Sequence, residues 1–363
     1  MCVRAHKYIF FRELTKKKYF SSMKSNYTIA DIAKLAGVSK GTVDRVLHKR
    51  GRVSKKAEDQ VNKVLKEIDY QPNIMAKQLK MSRNYTVVCI IPDPKLDPYW
   101  APLYQVIENN ERPNPLKVEH KYIYFNPFDK ESFVQATKSF NKSETDLVIL
   151  TPIFYNESIF FILDLKTNEI PYITFNATTE LSGSLSFIGQ DLKKSGQLIG
   201  HLLQLLNKEE GSIVCFHILE DFDNTIHMKK KHHGLTHYFQ KNQLNKKIIS
   251  ENIIEQDKSK IRKRIKDFIL EIQPKGITVS NSMGYLVAEC LKELNQKIPF
   301  IAYDLTTENQ ILLKQGFIDF IIEQNPGKQF ELALQIAQDK LVFDKNVKSH
   351  HFFPLEIITI ENC

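Results

Sequence analysis

Four side chains within one short stretch could contact a nucleic acid. Lys40, Thr42, Arg45 and Lys49 lie in KGTVDRVLHK, and they fall outward once Val43, Val46 and Leu47 are turned inward on a helix of about Lys40 to His48. Lysine, arginine and threonine all offer donors to phosphate oxygens, and Arg and Lys can also donate to guanine O6 and N7.

A helix that presents such groups must itself be held. The preceding residues supply the support. Ile29, Ile32, Ala33 and Leu35-Ala36 fit one face of a first helix, Gly37 supplies the turn, and Val38 fills the small core behind it. Ser39 is a good N-cap, because its hydroxyl can accept from an early unpaired N–H of the second helix. Helix, glycine turn and capped basic helix form the pattern that lays a second helix in a DNA major groove. Charge agrees with it. Residues 1–80 hold 19 basic and 7 acidic side chains, a net of +12, and the rest of the chain has a net of −3. Phosphate neutralisation calls for such a local basic module. A solvated basic helix pair is the bland alternative on charge alone.

At Thr28, Asp31-Ile32-Ala33, Ala36-Gly37-Val38-Ser39, Thr42-Val43 and Arg45-Val46-Leu47 the sequence resembles the lactose-repressor (LacI/GalR-type) transcription factors. The resemblance runs on through Val53-Ser54, Val61, Leu65 and Tyr70-Gln71-Pro72-Asn73 to Ala76-Lys77-Gln78-Leu79. It implies a helix-turn-helix domain over 23–71 with a third helix of about Lys55 to Ile68. It also implies a hinge helix within 72–82 that orders on DNA. By family position, Lys40, Gly41 and Arg45 face base edges, while Thr28, Thr42 and His48 contact phosphates. Ser39 and Asn73 complete the DNA-facing set. Ala76 lets two hinge helices cross closely, and Leu79 takes the place of the wedge that unstacks a minor-groove step. Two departures stand out. Gly41 has no side chain at a base-reading position and costs its helix about 1 kcal/mol relative to alanine. Asp44 replaces a small hydroxyl residue, so no operator sequence is carried over.

At 363 residues the chain can hold this module and one or two larger domains. No apolar run approaches the roughly 18 residues that span a bilayer. The five cysteines, Cys2, Cys89, Cys215, Cys290 and Cys363, show no paired spacing, which fits a reducing cytoplasm and gives no zinc or disulfide framework. Residues 1–22 carry Lys16-Lys17-Lys18 and an aromatic patch at Tyr8 to Phe11 too short for a secretory core. They read as an extension that precedes a native start at Met23.

From residue 85 the rhythm alternates. Strands are expected at Tyr85–Pro92, Lys121–Phe125, Asp146–Leu150, Pro171–Phe175, Leu185–Ile188, Ser212–His217, Gly276–Val279, Phe300–Tyr303 and Asp319–Ile322, with a final strand over Phe352–Ile360. Helical stretches such as Lys193–Leu206, Lys258–Leu270 and Ser282–Leu294 lie between them. Parallel sheets with helices on both faces follow, in two lobes. This pattern resembles the periplasmic-binding-protein fold that the lactose-repressor family carries after its hinge, in landmarks such as Asp97-Pro98-Tyr99-Trp100, Ile188-Gly189-Gln190-Asp191 and Gln324-Asn325-Pro326. The expected fold is thus an all-α helix-turn-helix domain followed by an α/β two-lobed domain of two doubly wound parallel sheets. Lobe 1 is drawn at about 85–188 and 305–325, lobe 2 at about 189–304 and 326–363.

The resemblance implies a ligand cleft at the carboxyl ends of the strands. Tyr99 and Trp100 would give flat faces to a sugar ring. Asn176, Asn281, Asp304 and Gln324 match polar positions that bond hydroxyls. The basic position maps to Lys231 or Lys229, where sugar-binding relatives carry Arg. The plain readings are a core Tyr-Trp pair, a helix N-cap for Asp304 and a solvated face for the Lys/His run. The sequence contains no GxGxxG, Walker A, GxSxG or HExxH motif, so no enzyme, cofactor or metal site is expected. The expectation is a cytoplasmic homodimer on a near-palindromic double-stranded operator, away from membranes, whose affinity is set by a carbohydrate-like effector. A sugar receptor without a regulatory role and a metal-responsive regulator are the alternatives.

Overall fold

The computed structural model describes residues 27–47, 51, 53–68, 70, 83–110, 117–181 and 183–363. The chain forms two compact units, Met1–Met81 and Ser82–Cys363. The expected hinge helix with Asn73, Ala76 and Leu79 lies outside the described residues, as do His48, Lys49 and the extension 1–22.

The first unit contains helices α1 (Ile29–Ala36), α2 (Lys40–Leu47) and α3 (Lys55–Glu67). Thr28 and Asp31 close a capping box at the start of α1, and Gly37 ends it in the left-handed region at φ +64°, where a side chain would be strained. Ile32, Val43 and Val61 meet in the core, one from each helix. Leu35, expected inward, is exposed. At 100° per residue it sits well off the arc shared by Ile29, Ile32, Ala33 and Ala36.

The second unit holds two six-stranded sheets, and both are doubly wound as expected. The first comprises β1 (Tyr85–Pro92), β2 (Val118–Phe125), β3 (Leu147–Leu150), β4 (Tyr172–Phe175), β5 (Ser186–Gly189) and β11 (His350–Phe352), in the order β11-β5-β4-β3-β1-β2, all parallel. The second comprises β6 (Gly211–Ile218), β7 (Lys246–Ile253), β8 (Gly276–Val279), β9 (Phe300–Tyr303), β10 (Phe320–Glu323) and β12 (Glu356–Ile358), in the order β12-β10-β9-β8-β6-β7. Only β12 runs antiparallel, against β10. Runs such as VVCIIP are buried on both faces because helices cover both sides of a parallel sheet. Strand β7 has no counterpart among the expected strands. The single strand expected over Phe352–Ile360 is instead two short strands, β11 ending at Phe352 and β12 beginning at Glu356, one in each sheet. Pro354 between them supplies no N–H to continue a ladder.

The lobe boundaries differ from the expected ones. Helix α11 (Thr307–Lys314) and β10 belong to the second sheet, not the first. Helix α12 (Pro326–Phe343) packs on β3, β4 and β5, so most of 326–352 belongs to the first lobe. The crossing falls at Asn325, which adopts φ +56°, caps α12 through its side chain and hands on to Pro326 in the first turn. Gln190, in the first crossing segment, donates to the carbonyls of Glu323 (2.7 Å), at the end of β10, and of Pro354 (2.8 Å), in the third crossing.

Candidate functional site

On the first unit, α2 displays Lys40, Gly41 and Arg45 to solvent. Ser39 holds the start of this helix. Its Oγ accepts from the Thr42 N–H at 3.1 Å and is hydrogen-bonded to Thr42 Oγ1 at 2.9 Å. Thr28 is similarly engaged, since its hydroxyl donates to Asp31 Oδ2 at 2.6 Å. This bond, together with the Thr28 N–H, holds the Asp31 carboxyl below its usual range. A Cβ added at Gly41 would meet only Ser39 Oγ at 3.8 Å, so packing within the module does not call for glycine there.

On the second unit, all seven expected ligand residues line one cleft between the lobes. Tyr99, Trp100 and Asn176 come from the first lobe; Lys231, Asn281 and Asp304 from the second; Gln324 from a crossing segment. The cleft's outline takes in about 380 Å³, part of it open to solvent. It also takes in Asp97, Phe128, Glu220, His227 and Ser282, which sequence reasoning did not select. Asp97 stood in a quoted landmark. Glu220 shared one signal with the residues that were selected, a position just beyond a strand end.

Strand ends explain how the side chains converge. Asn176 follows β4 and Asp304 follows β9, and both adopt left-handed backbone, φ +67° and +68°. Asn and Asp tolerate this region better than most residues. Each N–H still pairs with the neighbouring strand, Asn176 with the Ile188 carbonyl (2.8 Å) and Asp304 with that of Ile322 (3.0 Å). The helix that follows Asp304 is capped by Thr306, whose hydroxyl accepts from Asn309, so Asp304 itself is released from capping. Gln324 Nε2 donates to Asp304 Oδ1 at 2.7 Å. Asn176 donates to the Tyr99 hydroxyl. Tyr99 and Trp100 pack edge to face at 4.6 Å and belong to the first lobe's core as well as to the cleft wall.

Lys231 is placed by helix crossing. It lies on α8 (Ile226–Lys241), which packs on α7 (Leu192–Leu206) through Gly196 and Gly234. A Cβ at Gly196 would fall 1.9 Å from the Lys231 carbonyl oxygen, and one at Gly234 would fall 2.0 Å from that of Lys193. Lys231 is buried while Lys229 is exposed, so the run is a solvated face only in part. The Lys231 ammonium donates to the Ser280 carbonyl at 2.9 Å and sits 3.7 Å from the Tyr303 ring centroid.

The electrostatics of the cleft are set by desolvation. Burial pushes Asp97 up to about 6 and Glu220 up to about 7. Burial also raises Asp304 and lowers Lys231, with each group's charge partly offsetting the other's shift. Glu220 accepts from Asn281 Nδ2 at 2.9 Å and faces His227 Nε2 at 3.4 Å. His227 is held well below the usual imidazole range by burial and by Lys231. Asp97 Oδ1 accepts from the Tyr99 N–H (3.0 Å) and from Ser282 Oγ (3.3 Å), the latter across the cleft.

Behind the cleft, Cys215, His217 and His232 bring their ligating atoms within 4.8 Å of one another, a cluster that sequence spacing did not reveal. His232 is already engaged by Ser250 and Thr236, His217 Nδ1 by Ser280. Cys89, Cys215 and Cys290 are buried free thiols. Among the described residues no helix is long and apolar enough to cross a membrane.

Fold and cleft together define a two-lobed solute-binding domain on a chain that also bears a helix-turn-helix module. The chain belongs to the periplasmic binding protein domain family, whose model matches residues 88–345, and its residues 28–73 match the bacterial regulatory proteins of the lacI family. It is similar to the "NTD biosynthesis operon regulator NtdR" of Bacillus subtilis, 34% identical over 125 residues, covering 34% of this chain and 36% of that one. It is also similar to the "Ribose operon repressor" of Halalkalibacterium halodurans, 42% identical over 82 residues, 23% of this chain and 24% of that one. These matches thus span well under half of either relative. In fold, it is similar to GanP, a glucose-galactose binding protein from Geobacillus stearothermophilus, with a TM-score of 0.68 at 16% identity, over 77% of this chain and 98% of that one.

Proposed function

We propose that this protein is a ligand-responsive transcriptional repressor that binds a near-palindromic DNA operator as a cytoplasmic homodimer and performs no catalysis. A small carbohydrate-like molecule in the cleft sets its DNA affinity. One observation carries the reading: a lacI-type module with a capped helix exposing Lys40 and Arg45 shares a chain with a closed, polar and aromatic cleft of the solute-binding kind. The relatives' names support it, since one regulates an operon of biosynthesis and another represses a ribose operon. Two protomers present two recognition helices, which calls for a site with two half-sites. A ligand that binds one lobe arrangement more tightly shifts the DNA equilibrium by that difference, about 1–3 kcal/mol in typical cases. The residue roles follow. Lys40 and Arg45 read bases, with Thr42 and Ser39 holding the helix start. Tyr99, Trp100, Asn176, Lys231, Asn281, Asp304 and Gln324 hold the effector.

The test is selection of DNA from a random pool by the full-length protein, followed by titration of the enriched site. A two-fold symmetric motif is expected. Arg45→Ala should weaken binding to it by about 10- to 100-fold, the range of one lost bidentate contact, with the melting temperature of the larger unit unchanged. Recovery of no enriched motif would sink the proposal.

A further inference from the structure

The cleft is unbalanced in charge, and its walls give the imbalance a direction. Three carboxyls line it, Asp97, Glu220 and Asp304, against the single ammonium of Lys231. That ammonium is turned to the Ser280 carbonyl and the Tyr303 ring. Among the described residues, no lysine or arginine stands within ion-pair distance of any of the three; the nearest basic partner is His227, 3.4 Å from Glu220. Glu308 and Glu323 add negative potential from outside the cleft. Two oxygens also remain open. Asp97 accepts through Oδ1 and Asp304 through Oδ1, while the Oδ2 of each receives no hydrogen bond from the described residues.

Three carboxyls buried in this way are costly to ionise unless something positive enters with them. A bare metal ion does not fit. Among the described residues, the cleft carboxylates do not converge to the spacing of a metal shell, and only Cys215, His217 and His232 do. The lining by Tyr99, Trp100 and Phe128 beside the polar side chains suits an organic molecule, and aromatic faces also favour cations.

We propose that the effector carries at least one protonated amine, as in an amino sugar or amino polyol, received by Asp97, Glu220 and Asp304. This rests on the reading of the cleft as the effector site. The neutral remainder of the molecule meets Asn176, Asn281 and Gln324, whose amides both donate and accept. The uncharged alternative, in which the carboxyls stay protonated and donate to a neutral sugar, is an outcome of the test.

The experiment titrates the full chain near neutral pH, by thermal shift and calorimetry. The probes are D-glucosamine, D-galactosamine and D-mannosamine, with their parent hexoses, their N-acetyl derivatives and the matching uronic acids. At least one free amine should bind about tenfold or more tightly than its parent hexose and its N-acetyl form, with no binding of the uronic acids. Asp97→Asn and Glu220→Gln should each erase most of that preference; two variants are used so that loss of folding in one leaves the other informative. Tighter binding of a hexose than of its amine overturns the amine while leaving the sugar effector standing. Silence from every amine overturns the proposal, as does a substitution that weakens hexose and amine alike.

Discussion

Glu220 offers a measurement that separates electrostatic cost from structural role. Replacing it with glutamine keeps its shape and removes its charge. Burial moves its carboxyl from 4.5 to about 7, so below about pH 4.5 the group is neutral in both folded and unfolded chains. As pH rises through about 7 the folded chain must ionise it, and the stability present at low pH is lost. At about 1.4 kcal/mol per pH unit the loss reaches about 3 kcal/mol. Its side chain retains 11% exposure, and relaxation reduces the figure to about 2 kcal/mol. Glutamine can still accept from Asn281 through its carbonyl. The amide can donate to His227 Nε2, which then carries its proton on Nδ1. The unliganded Glu220→Gln protein should therefore melt about 4–8 °C higher than the parent at about pH 8, for a unit of this size. The gain should shrink to nothing near pH 4. Differential scanning calorimetry at the two pH values gives the answer. A gain equal at both, or a loss at the higher pH, would refute the desolvation argument.

Two further substitutions test how the sites are positioned. Gly41→Ala should stabilise the first unit by about 1 kcal/mol, because alanine favours the helix and its Cβ meets only Ser39 Oγ at 3.8 Å. Operator binding should fall at the same time, and a filter or polarisation assay that shows stability and affinity rising together would refute a base-facing role. Gly196→Ala drives a methyl into the Lys231 carbonyl at 1.9 Å, backbone against which nothing flexible can yield. It should cost about 1–3 kcal/mol in denaturant unfolding and, by displacing Lys231, weaken effector binding more than DNA binding. Unchanged stability would show that α7 and α8 do not depend on this contact.

Much of the fold was legible because most buried strands are written as short apolar runs. Gly276–Val279 and Phe300–Tyr303 were read at the bounds observed. Strand β7 was missed because KKIISENI, at the sheet edge, is mostly half-exposed and keeps charges along its length. The lobe boundaries were exchanged after Asp304 because alternation says that a strand follows a helix but not which sheet it joins. That choice is made by a single turn at Asn325, through backbone geometry and a cap that resemble any other helix start. The cleft residues were legible where a strand end carries a polar side chain. Glu220 and His227 were not, because their meaning lies in burial. An exposed glutamate beside a histidine is ordinary, and only the fold removes the water that makes it so.

The two lobes present equivalent positions to the cleft, which shows how binding could be converted into movement. Asn176 and Asp304 occupy the same place in their sheets, since β4 and β9 stand at the same point in the two strand orders. The amide lies on one side, and most of the charge on the other. Direct bonds join the lobes around the cleft: Ser282 to Asp97 at 3.3 Å, Asn224 to Glu157 at 2.7 Å, and Lys230 to the Thr178 carbonyl at 3.0 Å. Each is worth about 0.5–1.5 kcal/mol net, since opening exchanges it for water. Their sum, about 3 kcal/mol, is of the same order as the coupling that a regulatory ligand typically supplies. Asp97 belongs both to this latch and to the candidate effector site. A cation received there alters the bond that holds the lobes together, so ligand charge and lobe closure are linked through one carboxylate.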